Sequence, residues 1–203
     1  MMAILKARLF EKMNSLSFIT LLIFTLFMTV VGTPQAQGAV KTLTIEPGLY
    51  YQANNPTWLP IGTALIFGMM LPLIGFTYVR DAVGLDVQTN VISIIKTSKF
   101  ASLNYTLGKF LANVTLLVGM WVVAIIGTLG MMLLRFPGQS LTFTGFITPF
   151  LVLIPGLLLT AAFALLVDTI GIFRKTGGTV LGILVLLTLY ILETTTKTAS
   201  FMV

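Results

Sequence analysis

Residues 80–109 read RDAVGLDVQTNVISIIKTSKFASLNYTLGK. This is the longest polar stretch with a helical pattern in an apolar chain, and it lies between two long apolar runs. It carries four basic residues, Arg80, Lys96, Lys99 and Lys109, and two acids, Asp81 and Asp86. Read as a helix over 81–96, it places Val83, Val87, Val91 and Ile94 in one quadrant. Asp86, Thr89, Ser93 and Lys96 fall on the opposite side. Leu85 and Ile92, seven residues apart, make a second and narrower apolar stripe. A helix resting on lipid or on a bundle needs only one such stripe. The second stripe therefore serves either a soluble partner or the segment that follows.

Outward from this stretch the chain is built for lipid. Of its 203 residues 57% are hydrophobic and 9% charged, and the mean hydropathy is +1.02. A soluble domain covers its surface with roughly 25% charged residues. The chain is better counted in spans of roughly 20 apolar residues, each crossing a core of about 30 Å. The spacing predicts an all-α fold, a polytopic transmembrane helical bundle forming one domain over 1–203. Its five visible spans are 16–32, 59–79, 110–134, 141–167 and 179–192. Pro72 should kink the second, and Pro149 and Pro155 break the fourth.

Residues 1–15 precede the first span. As a helix they put Leu5, Leu9, Met13 and Leu16 on one face and Arg8, Glu11 and Ser15 on the other, with Lys12 between. That is either an interfacial helix with its charges toward water or a polar lead-in to the span. A second reading of the first run is a secretory signal, with residues 33–39 as its cleavage region. Residues 33–58 form an outside loop, with a short strand expected near 40–45 and Tyr50, Tyr51 and Trp58 as an aromatic belt.

Charge sets the orientation. With the amino terminus inside, nine basic residues lie inside: Lys6, Arg8, Lys12, Arg80, Lys96, Lys99, Lys109, Arg174 and Lys175. Three lie outside: Lys41, Arg135 and Lys197. This split places the amino terminus and residues 80–109 on the cytoplasmic side of a cytoplasmic membrane. The net charge of +6 is spread over span ends and forms no phosphate-binding patch, so nucleic acid is not an expected partner.

Several chemistries have no residues to carry them. The chain has no cysteine and no histidine, which removes thiolate metal sites, cysteine nucleophiles and the commonest general base. No Walker phosphate loop is present, and Lys175-Thr176-Gly177-Gly178 reads as a helix boundary. No hydrolase or zinc-protease signature occurs. Asp168 and Glu193 are the only acids near the later spans, and both sit at span ends. Each is expected to be solvated, with Arg174 neutralising Asp168. Gly156, Ala161, Ala162 and Gly182 suit close helix packing. Met69, Met70, Met131 and Met132 read as ordinary packing. Asn104-Tyr105-Thr106 and Asn113-Val114-Thr115 match the glycosylation triplet by chance, one in the cytoplasm and one in a span. Ser102 or Asn104 is expected to cap the third span.

The phrase Leu107-Gly108-Lys109-Phe110-Leu111-Ala112 opens the third span, after a segment with acids, a Val/Ile-rich helix and a polar break. This arrangement resembles the membrane subunit of ABC-2 type transporters. In that family a short amphipathic helix precedes the first span. The loop between spans two and three carries an acidic residue and a coupling helix, and a similar phrase opens span three. Arg80-Asp81, Gly84 and Asp86 fall where the family has an acidic and a small residue. Of the family's Pro-Val-Ser before span three, only Ser102 is kept. The family usually has six spans and both ends inside, so the resemblance implies either a sixth span and any outside domain beyond the five visible spans or a different span count.

The resemblance implies a permease subunit of an ATP-driven exporter that is not itself an enzyme. It binds no cofactor of its own, because ATP and magnesium sit on a partner subunit. The implied partners are an ATP-binding cassette subunit, a second permease subunit and the lipid bilayer. The implied docking residues are Asp81, Leu85, Asp86, Ile92, Lys96 and Lys99. The alternative is a scaffold or assembly subunit of a larger membrane complex, using the same segment without ATP coupling.

Overall fold

The computed structural model describes residues 2–33, 58–80, 83, 86, 102–135, 142–170 and 177–188. Every regular element among them is an α helix. These are α1 (Met2–Met13), α2 (Leu16–Gly32), α3 (Trp58–Val79), α4 (Ser102–Arg135), α5 (Phe143–Leu151), α6 (Ile154–Thr169) and α7 (Gly177–Thr188). The short strand expected near 40–45, the helix over 81–96 and Glu193 lie outside the described residues.

Three stretches are long and apolar enough to cross a membrane: Pro60–Val79, Leu103–Arg135 and Phe143–Thr169. Helices α1 and α2 together make a fourth, bent by 68° between them. The bend has a local cause. Ser15 is extended (φ −78°, ψ 140°) and its Oγ accepts from the Phe18 N–H at 3.3 Å, capping α2. The same hydroxyl donates to the Lys12 carbonyl at 2.6 Å, which ties off the end of α1. Within α2 the hydroxyls of Thr20, Thr25 and Thr29 donate to carbonyls three or four residues back. This is how a threonine satisfies its hydroxyl where lipid offers no partner.

Pro72 lies inside α3 and does not end it. The fourth apolar run does break, after Leu151, and Pro155 opens the first turn of α6, where its missing N–H costs nothing. At the break the buried carbonyl of Phe150 accepts from the Leu153 N–H at 3.1 Å and from the Trp121 Nε1–H of α4 at 2.9 Å, so a neighbouring helix helps to satisfy it. Helix α4 begins at Ser102, and Asn104 lies within its first turn, exposed. Asn104 is therefore not a cap.

The core lies between α2, α3, α4 and α6, with Phe18, Leu71, Phe76, Leu116, Leu117, Leu157 and Ala164 buried in it. A second cluster, Ala64, Met132, Phe146 and Phe150, joins α3, α4 and α5 toward the Arg135 end. Glycine sets two of the closest approaches. A Cβ on Gly75 would stand 2.5 Å from Leu117 Cδ2, and one on Gly182 would run into the Phe76 ring. Thus α7 lies on α3 at van der Waals contact. Of the small residues expected to pack, Ala161 and Gly182 are buried. Ala162 is exposed, and Gly156 faces open space.

Helix α1 departs from the expected arrangement at one charged residue. Arg8, predicted to face water, is 2% exposed, whereas Leu5 and Leu9 beside it are half-buried. The reason is packing: α1 folds back over α4 rather than standing alone, and the Arg8 guanidinium finds partners at that junction.

Candidate functional site

The helix order brings five element ends together, the end of α3, the starts of α2, α4 and α7 and the end of α6, with α1 across them. Almost all the described charges are here. The exception, Arg135, is at the other end of α4 and donates to the Thr33 carbonyl.

Arg80 follows α3 directly, its N–H donating to the Phe76 carbonyl at 3.1 Å. Its side chain is buried. Nε lies 3.4 Å from Asp168 Oδ1, and Nη1 donates to Thr179 Oγ1 of α7. Asp168 is 1% exposed. It occupies the last turn of α6, the negative end of the helix dipole, where a carboxylate is disfavoured. A buried carboxylate in that place requires a cation, and Arg80 supplies it. The expected solvated Asp168 is thus corrected: the end of a span is still inside the bundle when a neighbouring helix ends beside it. The expected neutralising residue, Arg174, lies outside the described residues.

Arg8 adds α1 to the cluster. Its guanidinium reaches Glu11 at 3.3 Å and the Arg80 carbonyl at 3.5 Å, the latter at the outer limit of a hydrogen bond. Tyr78, two residues before Arg80 on α3, donates to the Lys12 carbonyl at 3.0 Å. Its ring stacks on Phe18 at 5.8 Å and lies 5.3 Å under the Lys12 ammonium. The ends of α1 and α3 are therefore joined by Arg8, Lys12 and Tyr78.

Asp86 makes the second ion pair. Its Oδ2 lies 2.7 Å from Lys109 Nζ and accepts from the Tyr105 hydroxyl at 2.6 Å. Lys109 is buried, Asp86 half-buried. Both partners are on the first two turns of α4, one helical turn apart, so they converge on one carboxylate oxygen. Val83, between the two pairs, is buried as well.

Residues 80–86 are thus held at both ends. Arg80 ties them to α6 and α7, and Asp86 ties them to α4. Of the six expected docking residues, Asp86 is described, and its carboxylate is engaged within the bundle. Asp81, Leu85, Ile92, Lys96 and Lys99 lie outside the described residues. Sequence reasoning missed Arg80, Asp168, Lys109, Tyr105 and Arg8 as one cluster. A signal for the first two was present: the positive-inside split puts both on the same side, with opposite signs, at the ends of apolar runs.

One further polar group is buried without such company. Asn113, one turn deeper than Lys109 on α4, is fully buried, and neither amide atom has a hydrogen-bond partner among the described residues.

Comparison with family models, with curated proteins and with solved structures gives no match.

Proposed function

We propose that the chain is the membrane-spanning subunit of an ATP-driven transporter of the cytoplasmic membrane, with ATP hydrolysis on a separate subunit. Residues 80–109 dock on that subunit on the cytoplasmic side. Closure of the ATP-binding subunits pushes this segment and changes the packing of the helices it is tied to. A second copy or a related permease completes the pathway.

The observation that carries this reading is the double anchoring of residues 80–86. A loop that only connects two spans has no need of buried charge, which is costly to desolvate. Here Arg80–Asp168 and Asp86–Lys109 bind the segment to α3, α6, α7 and α4 at once. A load on it is delivered to four helix ends rather than absorbed by a slack linker. The resemblance around Leu107-Gly108-Lys109-Phe110 supports the same reading.

Affinity capture tests it. The chain should retain its ATP-binding subunit through detergent extraction, and Leu85→Asp and Ile92→Asp should each release it. Unchanged association in both variants removes the docking role. It leaves the scaffold reading, in which the same segment holds a partner that does not hydrolyse ATP.

A further inference from the structure

Helices α2, α3 and α4 leave a cavity of about 10 Å³ between them, room for an atom of about the size of a water molecule. Three methionines line it, one from each helix: Met28 of α2, Met70 of α3 and Met120 of α4. Phe24 and Phe67 stand beside them, and Thr25 is the single polar residue on the wall. The Thr25 hydroxyl donates to the Leu21 carbonyl at 2.8 Å. Met120 is buried near the middle of α4, so the cavity lies far from the charged end of the bundle.

We infer that Met28, Met70 and Met120 form a binding site for a soft monovalent metal ion, Cu(I) or its analogue Ag(I). Methionine in a core ordinarily fills irregular gaps, because its side chain is flexible. Here three such side chains, from three helices, surround a gap and leave it open. Thioether sulfur is a soft donor that selects Cu(I). The wall offers no carboxylate, imidazole or thiolate, so calcium, magnesium and zinc find no donors there. A single charge is the least costly metal charge to bury, and aromatic side chains beside a cation offset part of its lost hydration. Met69 and Met70 read alike along the sequence, but Met69 is 39% exposed and is not on the cavity wall. Spacing along one helix does not show what the other two helices bring. The site does not depend on docking of an ATP-binding subunit.

The chain has no cysteine and no histidine, so its methionine thioethers are its only soft donors, and the test is direct. The full-length chain in nanodiscs is titrated anaerobically with the coloured Cu(I)–bicinchoninate complex, ascorbate keeping the metal reduced. The chain should withdraw a single Cu(I). Met28→Leu, Met70→Leu and Met120→Leu should each weaken binding by about tenfold or more, and Met69→Leu should leave it unchanged. Leucine conserves the volume, so the thermal midpoint of each variant without metal should stay near that of the parent. Copper-edge X-ray absorption on the unsubstituted chain should show three sulfur neighbours, a result that needs no variant. No withdrawal of Cu(I), a metal without three sulfur neighbours, or an affinity that Met69→Leu lowers as much as the lining substitutions do overturns the site. So does a loss confined to fewer than all three lining variants.

Discussion

Arg80 Nε and Asp168 Oδ1 lie 3.4 Å apart, both side chains buried, across 88 residues of chain. The pair joins the end of one candidate span to the end of another, and Thr179 extends it to the start of α7. Breaking a buried pair leaves an uncompensated charge, whereas replacing both members with apolar residues does not. Asp168→Leu should therefore lower unfolding stability in detergent by about 3–5 kcal/mol, and Arg80→Met with Asp168→Leu should recover most of that loss. A double variant no better than the single one would show that the two side chains do not act as a pair.

Tyr105 and Lys109 hold one oxygen of Asp86. A hydrogen bond to a charged acceptor contributes about 1.5–3 kcal/mol. Tyr105→Phe should then speed amide exchange over residues 83–86 by roughly ten- to a hundredfold, with α4 beyond Asn113 unchanged. Hydrogen-exchange mass spectrometry on the purified chain reads this directly.

Gly182 and Phe76 are in contact so close that no Cβ fits at 182. Gly182→Ala should cost about 1–3 kcal/mol by overpacking, and Phe76→Leu in the same chain should restore part of it. The midpoint of thermal unfolding in detergent separates the single from the double variant.

Asn113 is buried with neither amide atom bonded among the described residues. Leucine has nearly the same shape and nothing to satisfy. Asn113→Leu should raise unfolding stability by about 1–3 kcal/mol, the desolvation penalty of an unmatched group. A lower midpoint would mean that the amide has a partner in the native membrane protein.

Much of this architecture is legible in the sequence, for one reason: apolar runs bounded by charge leave little freedom. The helices Trp58–Val79 and Ser102–Arg135 follow the second and third runs, and the break before Pro155 follows from proline chemistry. Among the described residues three or four spans meet the length and hydropathy of a crossing helix, against five expected, because α7 is a shorter apolar helix over its described residues. The site was less legible. Hydropathy treats Asp168 and Arg8 as exposed because it scores each residue alone. Their burial depends on which helix ends meet, and that is a tertiary fact. For Arg8 the partner that decides is the Arg80 carbonyl, which comes from the end of another helix.

The central claim is that residues 80–109 meet an ATP-binding subunit. A photo-reactive probe on a single cysteine at Leu85, in cells expressing the full-length chain, tests it most directly. The account predicts a cross-link to an ATP-binding chain, with a yield that changes between the ATP-bound and nucleotide-free states, and none from the same probe at Ile23 on the outer face of α2. A cross-link from Leu85 only to the chain itself, or only to a protein without an ATP site, would contradict it.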